Sequence, residues 1–244
     1  MKNIFLIVFG LTIIACKGDK EKTDNIDSIS EKPPVSQVAD VNSSLTDVKY
    51  RLNFNSESVD LFSKPPKKFT EKNTSALFSG LDGDFATLKT NLDLNNEFTY
   101  SVWIKPHDNN GEIHPIINRS LSNSEKPYYQ FFMALRGEGY KAAPSTFFCW
   151  FGIGDELVSL GSLMNWEAGN WYNLSVTYNL KTITFYVNGK LQDQRNVNGV
   201  LNPSDEEIYV AKHSKFDYYF NGVIDDFQVY DRALSPDEVF KLSD

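Results

Sequence analysis

The chain has 244 residues, a formal net charge of −8 and an aromatic content of 14%. That charge disfavours binding to a phosphate backbone, and neither a basic cluster interleaved with aromatics nor a phosphate-cradling glycine loop is present, which argues against a nucleic-acid partner. The cysteines are Cys16 and Cys149, so if Cys16 is consumed by processing no pair is left for an intramolecular disulfide, and stability has to come from a packed core.

In chain order, the first pattern is a leader. Lys2 supplies a positive n-region, an apolar run extends from Ile4 to Ile14, and Ile13-Ile14-Ala15-Cys16 reads as a lipobox. The run is short for a bilayer-spanning helix. The pattern predicts a lipoprotein signal peptide over residues 1–15, cut before Cys16, whose acyl chains (palmitate among them) anchor the mature chain to a membrane. An ordinary secretory signal with a chance cysteine is the alternative. Residues 16–47 are rich in Lys, Asp, Glu, Ser and Asn, with Pro33 and Pro34. They predict a disordered tether with a coil reach on the order of 30 Å. Lys17-Gly18-Asp19-Lys20-Glu21 resembles the export signals of Bacteroidetes-type surface lipoproteins, without their continuous acidic run, and implies outer-membrane or cell-surface display.

From residue 48 to 244 the sequence predicts one domain, large enough to bury a core without staples. Short β-branched and aromatic runs recur between turn clusters, the pattern of an all-β sandwich. Strands are expected at residues 49–54, 76–79, 85–89, 99–105, 128–135, 146–151, 171–178, 182–187, 207–211 and 221–230. Asn188-Gly189 predicts a type I′ hairpin turn, since both residues tolerate positive φ. Alternation assigns Leu174, Val176, Tyr178, Ile183, Phe185, Val187, Phe147, Cys149 and Phe151 to the core.

The last strand pattern pairs Val223, Asp225, Phe227 and Val229 on one face against Ile224, Asp226, Gln228 and Tyr230 on the other. Ser235, Pro236, Asp237 and Glu238 then read as N-cap to N3 of a short helix with a capping box, carrying Val239, Phe240 and Leu242. This ending, FDYYFNGVIDDFQVYDRALSPDEVFKL, resembles the C-terminal signature of LamG-like, concanavalin A-like jelly-roll domains. FTYSVWIKP (98–106) is similar to their early core strand, and NWYNLSVTYNLKTITFYVNGKLQ (170–192) to their Trp-led strand and central hairpin. The resemblance implies an all-β antiparallel jelly-roll sandwich with a short C-terminal helix. The family covers sugar binding, adhesion and a few enzymes, so fold alone does not select among them.

Alternation directs Trp103, Gln130, Arg136, Trp150, Asn173 and Tyr186 away from the core. Aromatic rings cover the C–H faces of sugars while amides and charges satisfy hydroxyls, so this mixture suits a glycan or a glycosylated partner. The competing reading has the tryptophans filling gaps beneath loops, and it is the better one for Trp171; Trp166 reads as a rim residue or a loop anchor. Tyr128 and Tyr129 follow a polar loop at the edge of a cleft, and strict alternation turns one of them inward. Asp225, among apolar neighbours on its own face, needs a compensating partner. The resemblance implies a structural Ca²⁺ held between Asp60 and Asp225, with Asp225 bonded to backbone amides or to Arg232 as the alternative. Asp108-Asn109-Asn110-Gly111-Glu112 is a second oxygen-rich loop, of the kind that most often forms only a turn.

Catalytic arrays are absent from the pattern. Asp155-Glu156, Asp205-Glu206-Glu207 and Asp225-Asp226 are runs of adjacent acids whose members point to opposite sides of a strand or lie in turns, and none forms the Glu-x-Asp-x-Glu type array that flanks a glycosidic bond. Glu112-Ile113-His114 echoes a lyase strand from an expected loop. His107, His114 and His213 have no metal spacing, and Cys149 sits in a core pattern. The sequence therefore predicts a non-catalytic, lectin-like lipoprotein, with a protein-interaction or adhesion module as the second reading and a divergent glycoside hydrolase or lyase as the third.

Overall fold

The computed structural model describes residues 45, 47–88, 94, 96–122 and 125–244. The predicted signal peptide, Cys16 and nearly all of the tether lie outside the described residues, as does Lys89 at the end of one expected strand. In chain order the first strands are β1 (Tyr50–Leu52), β2 (Phe62–Lys64), β3 (Lys68–Phe69), β4 (Ala76–Ser79) and β5 (Ala86–Leu88), with a 3-10 helix, Ser56–Leu61, before β2. Longer strands follow: β6 (Phe98–Pro106), β7 (Ile113–Ser120), β8 (Tyr129–Arg136), β9 (Thr146–Ile153) and β10 (Glu156–Asn165). The chain closes with β11 (Tyr172–Tyr178), β12 (Thr182–Val187), β13 (Lys190–Asn196), β14 (Ile208–Val210), β15 (Asn221–Tyr230) and the helix α1 (Pro236–Leu242).

These elements form two antiparallel sheets. Sheet I runs β13-β12-β11-β6-β15-β4-β3, with β1 also on β15, and sheet II runs β10-β9-β8-β7-β14-β5-β2. The core set expected from alternation lies between them, where Phe147, Cys149, Phe151, Leu174, Val176, Tyr178, Ile183, Phe185 and Val187 are fully buried. Inner-face rings interlock across the layers, with Phe98 stacked on Phe151 at 5.4 Å and Tyr100 tilted against Phe131 at 4.9 Å.

Several strands were invisible to the pattern. Residues 113–120, where no strand is expected and Glu112 to His114 read as a loop, form β7 in the middle of sheet II, and the register shifts between Pro115 and Ile117, beside a proline that lacks a ladder donor. β10 escapes notice because Ser159, Gly161 and Ser162 blur its alternation. Its Leu163 and Met164 amides donate to Gln192 Oε1 and its Gly161 amide to Asp193 Oδ2, which ties this edge of sheet II to β13 of sheet I.

The terminal signals hold in detail. Asn188 and Gly189 have φ of +49° and +68°, as a type I′ turn requires. Gly189 also lies under α1, where a Cβ would stand 2.9 Å from the Phe240 Cα. Ser235 caps α1, its Oγ accepting from the Glu238 amide while Glu238 Oε2 accepts from the Ser235 amide at 2.8 Å. Arg232 reaches from the strand-helix corner to Glu238 and to Asp47, fastening the point where the chain enters the domain. Leu45 packs in the same apolar cluster as Tyr186, Tyr230, Leu234, Val239 and Leu242, so α1 covers part of the outer face of sheet I.

Candidate functional site: an aromatic groove on sheet II

The outer face of sheet II carries an unusual load of rings. On β8 and β9 the residues between the core positions are Phe132, Ala134, Phe148 and Trp150, and register pairs Phe132 with Trp150 and Ala134 with Phe148. Phe132 stacks on Trp150 at 5.2 Å, and Trp150 meets Phe148 at 5.1 Å. The Trp150 indole N–H donates to Ser159 Oγ at 3.1 Å across the β9–β10 pair, which fixes the ring's orientation. Tyr129 joins this cluster at 5.4 Å from Phe132 and 5.8 Å from Trp150.

Tyr129 reaches the groove because β8 departs from strict alternation. The register against β7 shifts between Arg119 and Ser120, so Tyr129 and Phe132 share the outer face. Gly152 makes room for the displaced strand, since a Cβ there would stand 2.3 Å from the Tyr129 carbonyl oxygen. Tyr128 takes φ +69°, a left-handed conformation costly for a bulky side chain, and also lines the groove. The expectation that one of the two tyrosines turns inward is therefore corrected by the bulge.

Loops raise the walls. Glu112 and Ile113 rise on one side, together with Tyr140 from the β8–β9 loop. His213, Lys215, Phe216 and Tyr218 come from the β14–β15 loop. The groove has a volume of about 680 Å³, within the roughly 300–1,000 Å³ of small-molecule sites, and is open to solvent. Phe216 is 58% exposed and Tyr128 38%, large apolar surface left open at the rim. Arg136 lies over Phe148 at 4.4 Å and Tyr140 at 5.1 Å and donates to Thr146 Oγ1, so its charge steadies the rings at one end.

The loop 213–218 wraps around His213. Its Nδ1 accepts from the Lys215 amide at 3.0 Å and the Phe216 amide at 3.2 Å, while Nε2 meets Tyr129 Oη at 3.1 Å. Burial, then the Lys215 and Lys212 charges, hold this imidazole's pKa down to about 4. Burial raises the Tyr129 hydroxyl, so both groups are neutral at pH 7.

A laminin G-type family model, described as the Concanavalin A-like lectin/glucanases superfamily, matches residues 79–240. The chain belongs to the concanavalin A-like lectin/glucanases superfamily. No protein of curated function matches it in sequence. Among solved structures, this superfamily domain is similar to domain 4 of AbnA, an extracellular GH43 arabinanase of Geobacillus stearothermophilus in complex with arabinotriose. The TM-score is 0.56 at 17% identity, covering 72% of this chain and 80% of that one. It is also similar to the heptameric SAP-like pentraxin of Limulus polyphemus, with TM-score 0.54, 15% identity and coverage of 69% and 80%. The binding domain of Paraclostridial Mosquitocidal Protein 1 gives TM-score 0.56 at 16% identity, with coverage of 72% and 44%. These likenesses establish the two-sheet fold.

The superfamily fold divides the six residues that alternation turned away from the core. Trp150 lines the groove and Arg136 flanks it, but Trp103, Asn173 and Tyr186 belong to sheet I, across the sandwich. Tyr186 is buried under α1, and Trp103, 8% exposed, meets Trp171 edge to face at 6.4 Å. Asn173 donates to Ser101 Oγ at 3.0 Å and accepts from Ser175 Oγ at 2.8 Å, so its amide is spent within the sheet. Gln130 is also removed from the outer face by the β8 bulge: buried, it donates to the Asn202 carbonyl oxygen at 2.9 Å and accepts from Arg119. The single platform expected of all six is thus corrected to a groove holding Trp150, beside Arg136. Trp166 is a loop anchor, its indole N–H donating to the Arg136 carbonyl oxygen at 3.0 Å.

A second bulge alters the reading of Asp225. Asp226 takes φ +47° and the β15–β6 register shifts between Asp225 and Gln228, so Phe227 and Val229 point into the core while Asp225 faces outward beside Trp103. Of the apolar neighbours assigned to the face of Asp225, Val223 still shares it while Phe227 and Val229 do not. The Asp225 carboxylate, 1% exposed, accepts from Ser75 Oγ at 3.0 Å and from the Asp226 amide at 2.7 Å. Arg232, the alternative partner, binds Glu238 and Asp47 instead. Asp60 is exposed in the 3-10 helix, and among the described residues no group of three or more His, Cys, Asp or Glu side chains is placed to hold a metal ion. Hydrogen-bond donors thus meet the buried Asp225 carboxylate, and the Arg51 charge also interacts with it.

Phe132, Tyr140, Phe216, Tyr218 and His213 also line the groove, and no alternation in the sequence singles them out as site residues. The signal available was composition: residues 213–219, HSKFDYY, place three rings in a polar loop, where no core demands them.

Proposed function

We propose that this domain is a non-catalytic carbohydrate-binding module whose site is the aromatic groove of sheet II. The observation that carries the reading is the groove itself, a roughly pocket-sized space floored by Tyr129, Phe132 and Trp150 and rimmed by polar groups. Ring faces suit the C–H face of a sugar, while Tyr129, Tyr140, Tyr218, Lys215 and Glu112 offer donors and acceptors to its hydroxyls. No paired carboxylates occur among the lining residues, where Glu112 is the sole acid, which supports binding over glycosidic hydrolysis. The saccharide-bound arabinanase domain is consistent with this use of the fold.

We also propose that Cys16 carries a lipid anchor and that the module is displayed on an outer membrane. Leu45 and Asp47 fasten the chain entry to the α1 side of sheet I, across the sandwich from the groove. Exposed Phe216 at the rim favours, as the second reading, a protein partner that inserts an apolar side chain.

The test is an oligosaccharide array probed with the purified domain, followed by calorimetry with the hits and with arabinotriose, and a reducing-sugar assay on the same compounds. Binding without product release is expected. An array empty of hits would defeat the carbohydrate reading, and sustained sugar release would make the protein an enzyme.

A further inference from the structure

The groove holds one polar contact whose direction can be worked out atom by atom. Lys215 and Phe216 present backbone N–H groups to His213 Nδ1 at 3.0 and 3.2 Å, and a backbone amide can only donate. Nδ1 is therefore an unprotonated acceptor, and a neutral imidazole carries its single proton on Nε2. Nε2 lies 3.1 Å from Tyr129 Oη, so that bond runs from imidazole to phenol. The phenol's own proton is then directed elsewhere, and Tyr129 borders the groove. The ring beneath it is held by Phe132 at 5.4 Å and Trp150 at 5.8 Å, leaving the hydroxyl little freedom.

We infer that Tyr129 is the groove's oriented hydrogen-bond donor and that His213 is the positioning residue that makes it one. The ligand class follows, resting on the carbohydrate reading above: a saccharide with an oxygen that accepts from Tyr129 (ring, glycosidic or carbonyl) beside an apolar ring face that covers Trp150. The low basicity that burial imposes on His213 keeps the relay neutral and in this polarity at ordinary pH.

Two measurements test this. Nitrogen-15 NMR of the histidine side chains, which needs no ligand, is expected to give His213 as the fixed Nε2–H tautomer; an Nδ1–H form or a rapidly exchanging mixture would overturn the inference. The oligosaccharide array is then read with wild type, Tyr129→Phe, His213→Gln and the double variant in parallel. Tyr129→Phe keeps the ring stack and is expected to lower affinity about tenfold for the bound glycans. His213→Gln should weaken binding alone but add nothing in the Tyr129→Phe background, the coupling expected when one residue acts through the other. Undiminished binding by Tyr129→Phe would overturn the donor while leaving the carbohydrate reading intact. An array silent for wild type would remove that reading and the ligand class together.

Discussion

Trp150 and Trp103 are both placed off the core by alternation, and the two sheets give them opposite fates, which makes them a matched pair for mutation. A sugar ring laid on Trp150 removes roughly 80 Å² of apolar surface from water, worth about 2 kcal/mol at about 25 cal/mol per Å². Trp150→Ala should then weaken glycan binding about thirtyfold. The same change removes ring contacts to Phe132, Phe148 and Tyr129. At about 0.5–1.5 kcal/mol each, reduced by the partial exposure of Trp150, the loss is about 2 kcal/mol, or a Tm lower by roughly 4–8 °C. Trp103→Phe trims a ring from the outer face of sheet I, where Trp103 is 8% exposed beside Trp171. It should cost less than the roughly 3–5 kcal/mol of a Trp→Ala cavity and leave binding unchanged. Calorimetry against an array hit and differential scanning fluorimetry separate the two effects. Equal affinity in Trp150→Ala, or lost affinity at constant Tm in Trp103→Phe, would refute the assignment of the site to sheet II.

Three further outcomes are expected. The Arg232 guanidinium, then the Ser235 amide and hydroxyl, hold the Glu238 carboxyl down to about 2 from an ordinary 4.5. A depressed carboxylate contributes stability that is present above its unfolded pKa and is lost as pH falls through the folded one. The stability gap between wild type and Glu238→Gln, measured by urea unfolding, should be full at pH 7 and close between about pH 4.5 and 2; a gap constant with pH would rule out the ionic clamp. Burial drives the Cys149 thiol well above its usual range, so a thiol reagent should label it only after unfolding, and fast labelling of native protein would contradict its place in the core. Because Ser75 and the Asp226 amide already donate to Asp225, EDTA should leave the Tm unchanged; a fall of several degrees would instead place an ion at that carboxylate.

Local signals served well wherever they depended on neighbours in the chain. Asn188-Gly189 made its turn, Ser235 to Glu238 made its capping box, and the aromatic and β-branched alternation of residues 147–151 and 174–187 selected the inward side chains. No alternation announces β7, a central strand that carries Pro115 beside a register shift. The groove was legible only in Trp150, in Tyr128 and Tyr129 at a cleft edge, and in Arg136 at its flank. Phe216, Tyr218 and His213 reach it through a loop whose path no periodicity describes.

The sequence by itself settled that this is an antiparallel sandwich and which residues of most strands point inward, because a period of two and the chemistry of turns act over a few residues. Which outward residues would meet was decided by tertiary structure alone. Membership of one sheet or the other, the one-residue slips at Ser120 and Asp226, and the docking of α1 over Tyr186 depend on contacts far apart in the chain. A slip of one residue exchanges the faces of everything beyond it, so Gln130 is withdrawn and Tyr129 presented by a feature that alternation has no means to express.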